Sequence, residues 1–112
     1  MNLRVIAIQV GDLLKYDTTV NEIGRIGGAL FPFQRDSFPN ESITSSRAQL
    51  IYDWVLTLGR HQMNPEERTR LLVKFCGELA TDQLRSRVEK ILLDNGVVPR
   101  EINREGYDLF KG

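Results

Sequence analysis

Apolar residues recur at three- and four-residue intervals along most of this chain, a spacing that predicts helices. Leu3, Ile6, Val10 and Leu14 follow it. The stretch "RVIAIQV" is also rich in β-branched residues, as a strand would be. The apolar series continues through "DLLK", beyond normal strand length, and this favours helix. Thr19 and Glu22 then form a Thr-x-x-Glu capping box, with Val20, Ile23, Ile26 and Leu30 near one face behind it. Gly24, Gly27 and Gly28 weaken this second helix by roughly 1 kcal/mol each relative to Ala. Ser46 and Gln49 suggest a further box. The stripe Leu50, Ile51, Trp54, Val55 and Leu58 follows, with Gly59 placed to end the helix. In the next helix Asn64 is the cap, Pro65 the first helical residue and Glu67 the box acid. Leu71, Leu72, Phe75, Cys76 and Leu79 form its buried face. The last helix turns Leu84, Val88, Ile91 and Leu92 inward and stops at Gly96.

Between these helices, "FPFQRDSFPNES" is the one long irregular segment. Pro32 and Pro39 bias Phe31 and Phe38 toward extended backbone. Phe31, Phe33 and Phe38 are expected to hold the loop on the core, with Phe33, Arg35 and Phe38 as candidate loop contacts. The last stretch, "VVPREINREGYDLFKG", is open between a hairpin, a short helix and a linker. The pattern predicts an all-α domain, a compact bundle of five to six short helices over residues 1–98, with 99–112 as tail or linker.

Size and charge narrow the reading. The chain has 112 residues, enough for one domain with one core. Its 15 basic and 15 acidic residues cancel, so neither the chain nor either half shows the excess usual in a nonspecific nucleic-acid binder. One cysteine excludes an intrachain disulfide and fits a reducing cytosol. No apolar stretch approaches a membrane span, and the N-terminus lacks a basic leader. A cytoplasmic protein is expected.

Few residues suggest chemistry. "IGRIGGAL" matches the Ile-Gly-x-x-Gly-x-x-Leu loop with which KH domains clamp single strands, but the proline-broken "FPF" follows where a helix should continue. No Lys-Ser or Lys-Thr follows the glycines, which excludes a Walker loop. The glycines are expected to permit close helix–helix approach rather than phosphate binding. A helix-turn-helix needs a polar second helix, and "ALFPF" is apolar. His61 is the only histidine and reads as an exposed turn residue. Cys76 reads as a buried small hydrophobe. No metal, cofactor or paired catalytic group is expected. The candidate partner contacts are Arg25, Arg47, Tyr52, Arg68, Arg85, Arg87 and Glu89. Tyr52 projects away from the core stripe, and most of the others lie in charge-rich helix faces.

Three stretches carry a resemblance. "EIGRIGGAL" looks like a Glu-Ile-Gly-Arg-Leu-Leu helix. "ITSSRAQL" is similar to an Ile-Thr helix start, and "RSRVEKILLDNGVVPREINREG" to a final helix closed by Gly. Together, over about residues 17–106, they resemble the N-terminal helical domain of hypothetical-ymh-type, abortive-infection-like bacterial proteins. There the domain precedes a HEPN-type region. "GGALFPF" departs from that pattern, as does the single Arg47 where more basic residues are expected. The resemblance implies a recognition or regulatory module of phage defence. The HEPN Arg–His site is not here, because Arg60 directly adjoins His61. A bundle of this size also matches death-fold and CARD-like adaptors in helix count. The expected function is a non-enzymatic protein-interaction module that binds another protein or itself. The alternative is a small nucleic-acid-binding regulator using Arg25, Arg47 and the start of the third helix.

Overall fold

The computed structural model describes residues 1–98 and 109–110. Among them are five helices: α1 (Leu3–Leu14), α2 (Val20–Leu30), α3 (Ser46–Arg60), α4 (Pro65–Leu79) and α5 (Arg85–Asp94). The fold is all-α, as the apolar spacing predicts. Residues 3–14 are helical, which resolves the helix–strand ambiguity there. Most of the segment 99–112, expected as a tail or linker, lies outside the described residues. Leu109, however, is buried, and its Cγ lies 3.4 Å from where a Cβ on Gly77 would sit.

α3 is the axis of the domain. α1 packs along it, α2 lies against both α3 and α4, and α5 packs on α1. Ile51, Tyr52, Asp53, Trp54 and Val55 are all buried, five consecutive residues pointing in every direction around the helix. A helix with neighbours on all sides has no solvent face. This corrects the reading of Tyr52 as a partner contact: it is 4% exposed and belongs to the core. Ile6, Leu14, Ile23, Leu58, Leu72, Phe75 and Leu92 complete that core with no exposed surface.

The caps show what the sequence pattern resolves. Thr19 accepts from the Glu22 N–H at 3.1 Å, and Asn64 accepts from the Glu66 N–H at 2.8 Å. α3 is capped by Ser45 rather than Ser46, through its hydroxyl and the Ala48 N–H. The reciprocal halves of the three expected boxes are engaged elsewhere. Glu22 pairs with Arg25, Gln49 bonds Asp53, and Glu67 pairs with Arg70. Gly59 does not end α3, which runs on to Arg60. Gly96 does follow α5 with φ +90°, the left-handed conformation glycine tolerates best. Val20 is 45% exposed and does not share the buried face of Ile23 and Ile26. Thr19→Ala is expected to cost about 1 kcal/mol, the usual value of an N-cap side chain. Urea denaturation would show it as a lowered midpoint at unchanged slope.

α1 and α5 run antiparallel. The Asn2 N–H donates to the Asn95 carbonyl at 3.0 Å, and the Asn95 amide donates to Gln9 Oε1 at 3.1 Å. The start of α1 therefore lies beside the end of α5. Between their outer faces an open groove remains.

Candidate functional site

The groove between α1 and α5 encloses about 660 Å³. Its apolar lining comes from Leu13 on α1, Ile91 on α5 and Leu84 just before α5. Tyr16, 75% exposed, stands at one end. The α1 wall carries Asp12 and, just past the helix, Asp17. The α5 wall carries Arg87, Lys90 and Asp94. Asp12 is engaged by Lys15 at 2.7 Å, and that hydrogen bond holds the Lys15 ammonium above its ordinary pKa. Lys90 pairs with Asp94 at 2.9 Å. Asp17 and Arg87 have no ion-pair partner among the described residues.

A second constellation fixes the long loop. Asp53 is buried on α3 and accepts three hydrogen bonds. The donors are Arg35 Nη1 at 3.0 Å, the Phe38 N–H at 2.9 Å and Gln49 Nε2 at 2.7 Å. Gln49 Nε2 also donates to the Phe38 carbonyl, and Thr57 Oγ1 accepts from the Asp36 N–H. Phe31 packs on Trp54 and Phe75 with centroids 5.2 and 5.1 Å away. Phe33 stacks on Phe31 on one side and on the His61 ring, 4.1 Å away, on the other. His61 is thus half-buried against an aromatic ring, not a free turn residue as expected. Arg60 lies over the Phe38 ring. Phe33, Arg35 and Phe38 do meet the domain, as loop anchors. The sequence signal for Asp53 is its place four residues after Gln49, a polar pair inside an apolar helix.

The remaining candidates are spread over several helices, and most are engaged within the chain. Arg25 is exposed and paired with Glu22. Arg47 donates to the Thr18 carbonyl at 3.2 Å, tying α3 to the turn before α2. Arg68 donates to the carbonyls of Leu58 and His61, so it caps the end of α3 and is not a free partner contact. Arg85 pairs with Asp82, and Glu89 accepts from the Phe110 N–H. Only Arg87 of this set lines the groove. Leu13, Tyr16, Asp17 and Lys90 are not visible as site residues in the sequence, because the groove exists only once α1 and α5 are adjacent.

Cys76 is fully buried, and burial pushes its thiol up to about 12. The folded pKa lies above the ordinary thiol value, so the unfolded chain loses this proton first. The contribution to stability is intact below the unfolded pKa near 9.0 and falls as pH rises toward 12. Denaturation series from pH 8 to 11 are expected to show this decline, and Cys76→Ala is expected to remove that component. Among the described residues no group of three His, Cys, Asp or Glu side chains is placed to hold a metal. No helix among them is long and apolar enough to cross a membrane.

Comparison with protein-family models, curated proteins and solved structures finds no match to this chain. The fold and groove define a class, a small all-helical domain with an open inter-helix groove.

Proposed function

We propose that this chain is a non-enzymatic interaction module that binds a protein, another one or a second copy of itself, through the α1–α5 groove. One observation carries the reading. The groove joins an apolar lining of Leu13, Leu84 and Ile91 to charged walls and an exposed tyrosine. An apolar centre inside a polar rim is how protein interfaces are built, and tyrosine is enriched among their anchors. The setting, an adaptor or regulatory domain of a bacterial anti-phage system, rests on the sequence resemblance alone, and the death-like fold rests only on helix count.

The nucleic-acid alternative has weaker support. Arg25 is neutralised by Glu22, and Arg47 is turned to a backbone carbonyl. A photo-cross-linking phenylalanine analogue in place of Tyr16, in the full chain, tests the proposal. Irradiation is expected to yield a covalent protein adduct. No adduct, together with salt-sensitive retention of DNA or RNA in a gel shift, would overturn it.

A further inference from the structure

Leu109 and Phe110 occupy a seat of their own, apart from the α1–α5 groove. Gly77 on α4 forms one side of it. The Leu109 Cγ lies 3.4 Å, and its backbone nitrogen 3.9 Å, from where a Cβ on Gly77 would stand. A side chain larger than a methyl group at position 77 would take the space of the leucine, which is 1% exposed. Glu89 on α5 forms the other side, where its carboxylate accepts the Phe110 N–H at 2.6 Å. Neither Gly77 nor Glu89 lines the groove. Leu93 follows Glu89 by four residues, on the same side of α5. It is 49% exposed and adds apolar surface beside the seat. Phe110 packs only partly buried against the core. Its φ is +61°, in the left-handed region that bulky residues avoid. A well-formed pocket thus holds a strained occupant.

We infer that the seat between Gly77 and Glu89 is a peptide-binding site, filled in cis by Leu109 and Phe110, which takes a leucine-bearing segment of another polypeptide in their place. This goes beyond the groove reading above and does not rest on it. The cis occupant defines the chemistry of the ligand. An apolar side chain inserts beside the bare backbone of Gly77, and the next backbone N–H points at the Glu89 carboxylate. Recognition of short segments commonly joins such a side-chain pocket to a main-chain hydrogen bond. The carboxylate at the rim disfavours a ligand with an acidic residue after its leucine, since like charges repel. Segments with few contacts open well before a whole domain unfolds, and the left-handed backbone at Phe110 lowers the cost of leaving. While the two residues stay, their tether gives them an effective concentration of about millimolar. The cis segment therefore acts as an inhibitor that a weak competitor does not displace.

Titration of the isotope-labelled full chain with a synthetic peptide of residues 106–112, GYDLFKG, tests this by NMR, with circular dichroism to confirm folding. In the wild type the peptide is expected to shift the Gly77 and Glu89 amides only weakly. In Leu109→Asp, which cannot seat its own segment, affinity for the peptide should rise at least about tenfold, as the tethered competitor is removed. Gly77→Leu in that background fills the seat and should abolish the shifts. Alanine in place of the peptide's leucine should do the same. A folded Leu109→Asp chain that does not bind the peptide overturns the inference. So does binding that Gly77→Leu leaves unchanged, or a wild type that binds as tightly as Leu109→Asp. Should Leu109→Asp fail to fold, hydrogen exchange on the wild type decides. The Phe110 amide is expected to exchange faster than the amides of α3. Exchange at Phe110 only through global unfolding would make the two residues a fixed part of the core and overturn the inference.

Discussion

Asp53→Ala is expected to lower stability by about 3 kcal/mol and to release the loop from Phe31 to Ser45. The substitution leaves three donors without their acceptor: Arg35 Nη1, the Phe38 N–H and Gln49 Nε2. Removing one partner of a buried pair costs about 3–5 kcal/mol, because the remaining groups stay desolvated and unpaired. The Arg35 side chain is 37% exposed and can turn to water, which places the effect at the low end. Asp53→Asn should cost less, since it retains one acceptor oxygen. Guanidinium denaturation measures the loss, and hydrogen exchange at the Phe38 amide reports the loop directly. A change below about 1 kcal/mol with the Phe38 amide still protected would show that the phenylalanines alone hold the loop.

The second large effect separates three glycines of one helix. Gly27 lies under Trp54, and a Cβ there would come within 2.3 Å of the indole. At Gly24 and Gly28 a Cβ would meet no non-local atom within 4 Å, so both face open space. Gly27→Ala is expected to destabilise by about 2 kcal/mol net, as overpacking outweighs the gain in helix propensity. Gly24→Ala and Gly28→Ala are expected to stabilise by up to about 1 kcal/mol each, through propensity and the loss of unfolded-state freedom. Thermal melts of the three variants decide it. Equal shifts in all three would mean that Trp54 moves aside without cost. The close helix approach expected of these glycines thus belongs to Gly27, while the other two only loosen α2.

These residues also show why some of the protein is legible in its sequence and some is not. Caps and apolar periodicity are local, so the five helices can be read from them, although α5 begins only at Arg85 and leaves Leu84 as its cap. The loop aromatics can be read as anchors for a related reason, since few other places exist for three phenylalanines. Tyr52 misleads because a helical projection assumes one buried face, and α3 has none exposed along its centre. Arg47 and Arg68 mislead because a cation in a polar sequence looks solvated until its carbonyl partners, distant in the chain, are known. The groove belongs to the same class. Its walls are about seventy to eighty residues apart in sequence, and nothing local marks Leu13 and Ile91 as lining one groove.

The order in which the helices find one another has a consequence during synthesis. α1 packs chiefly on α3 and α5, not on α2, the helix made directly after it. Its apolar face, with Ile6, Val10 and Leu14 wholly buried in the finished fold, has no surface to meet until α3 has been made. At roughly 5–20 residues per second, translation of the intervening segment takes seconds. For that interval the apolar residues of this segment have no partner helix to cover them, and twelve residues alone are too few to hold a stable helix in water.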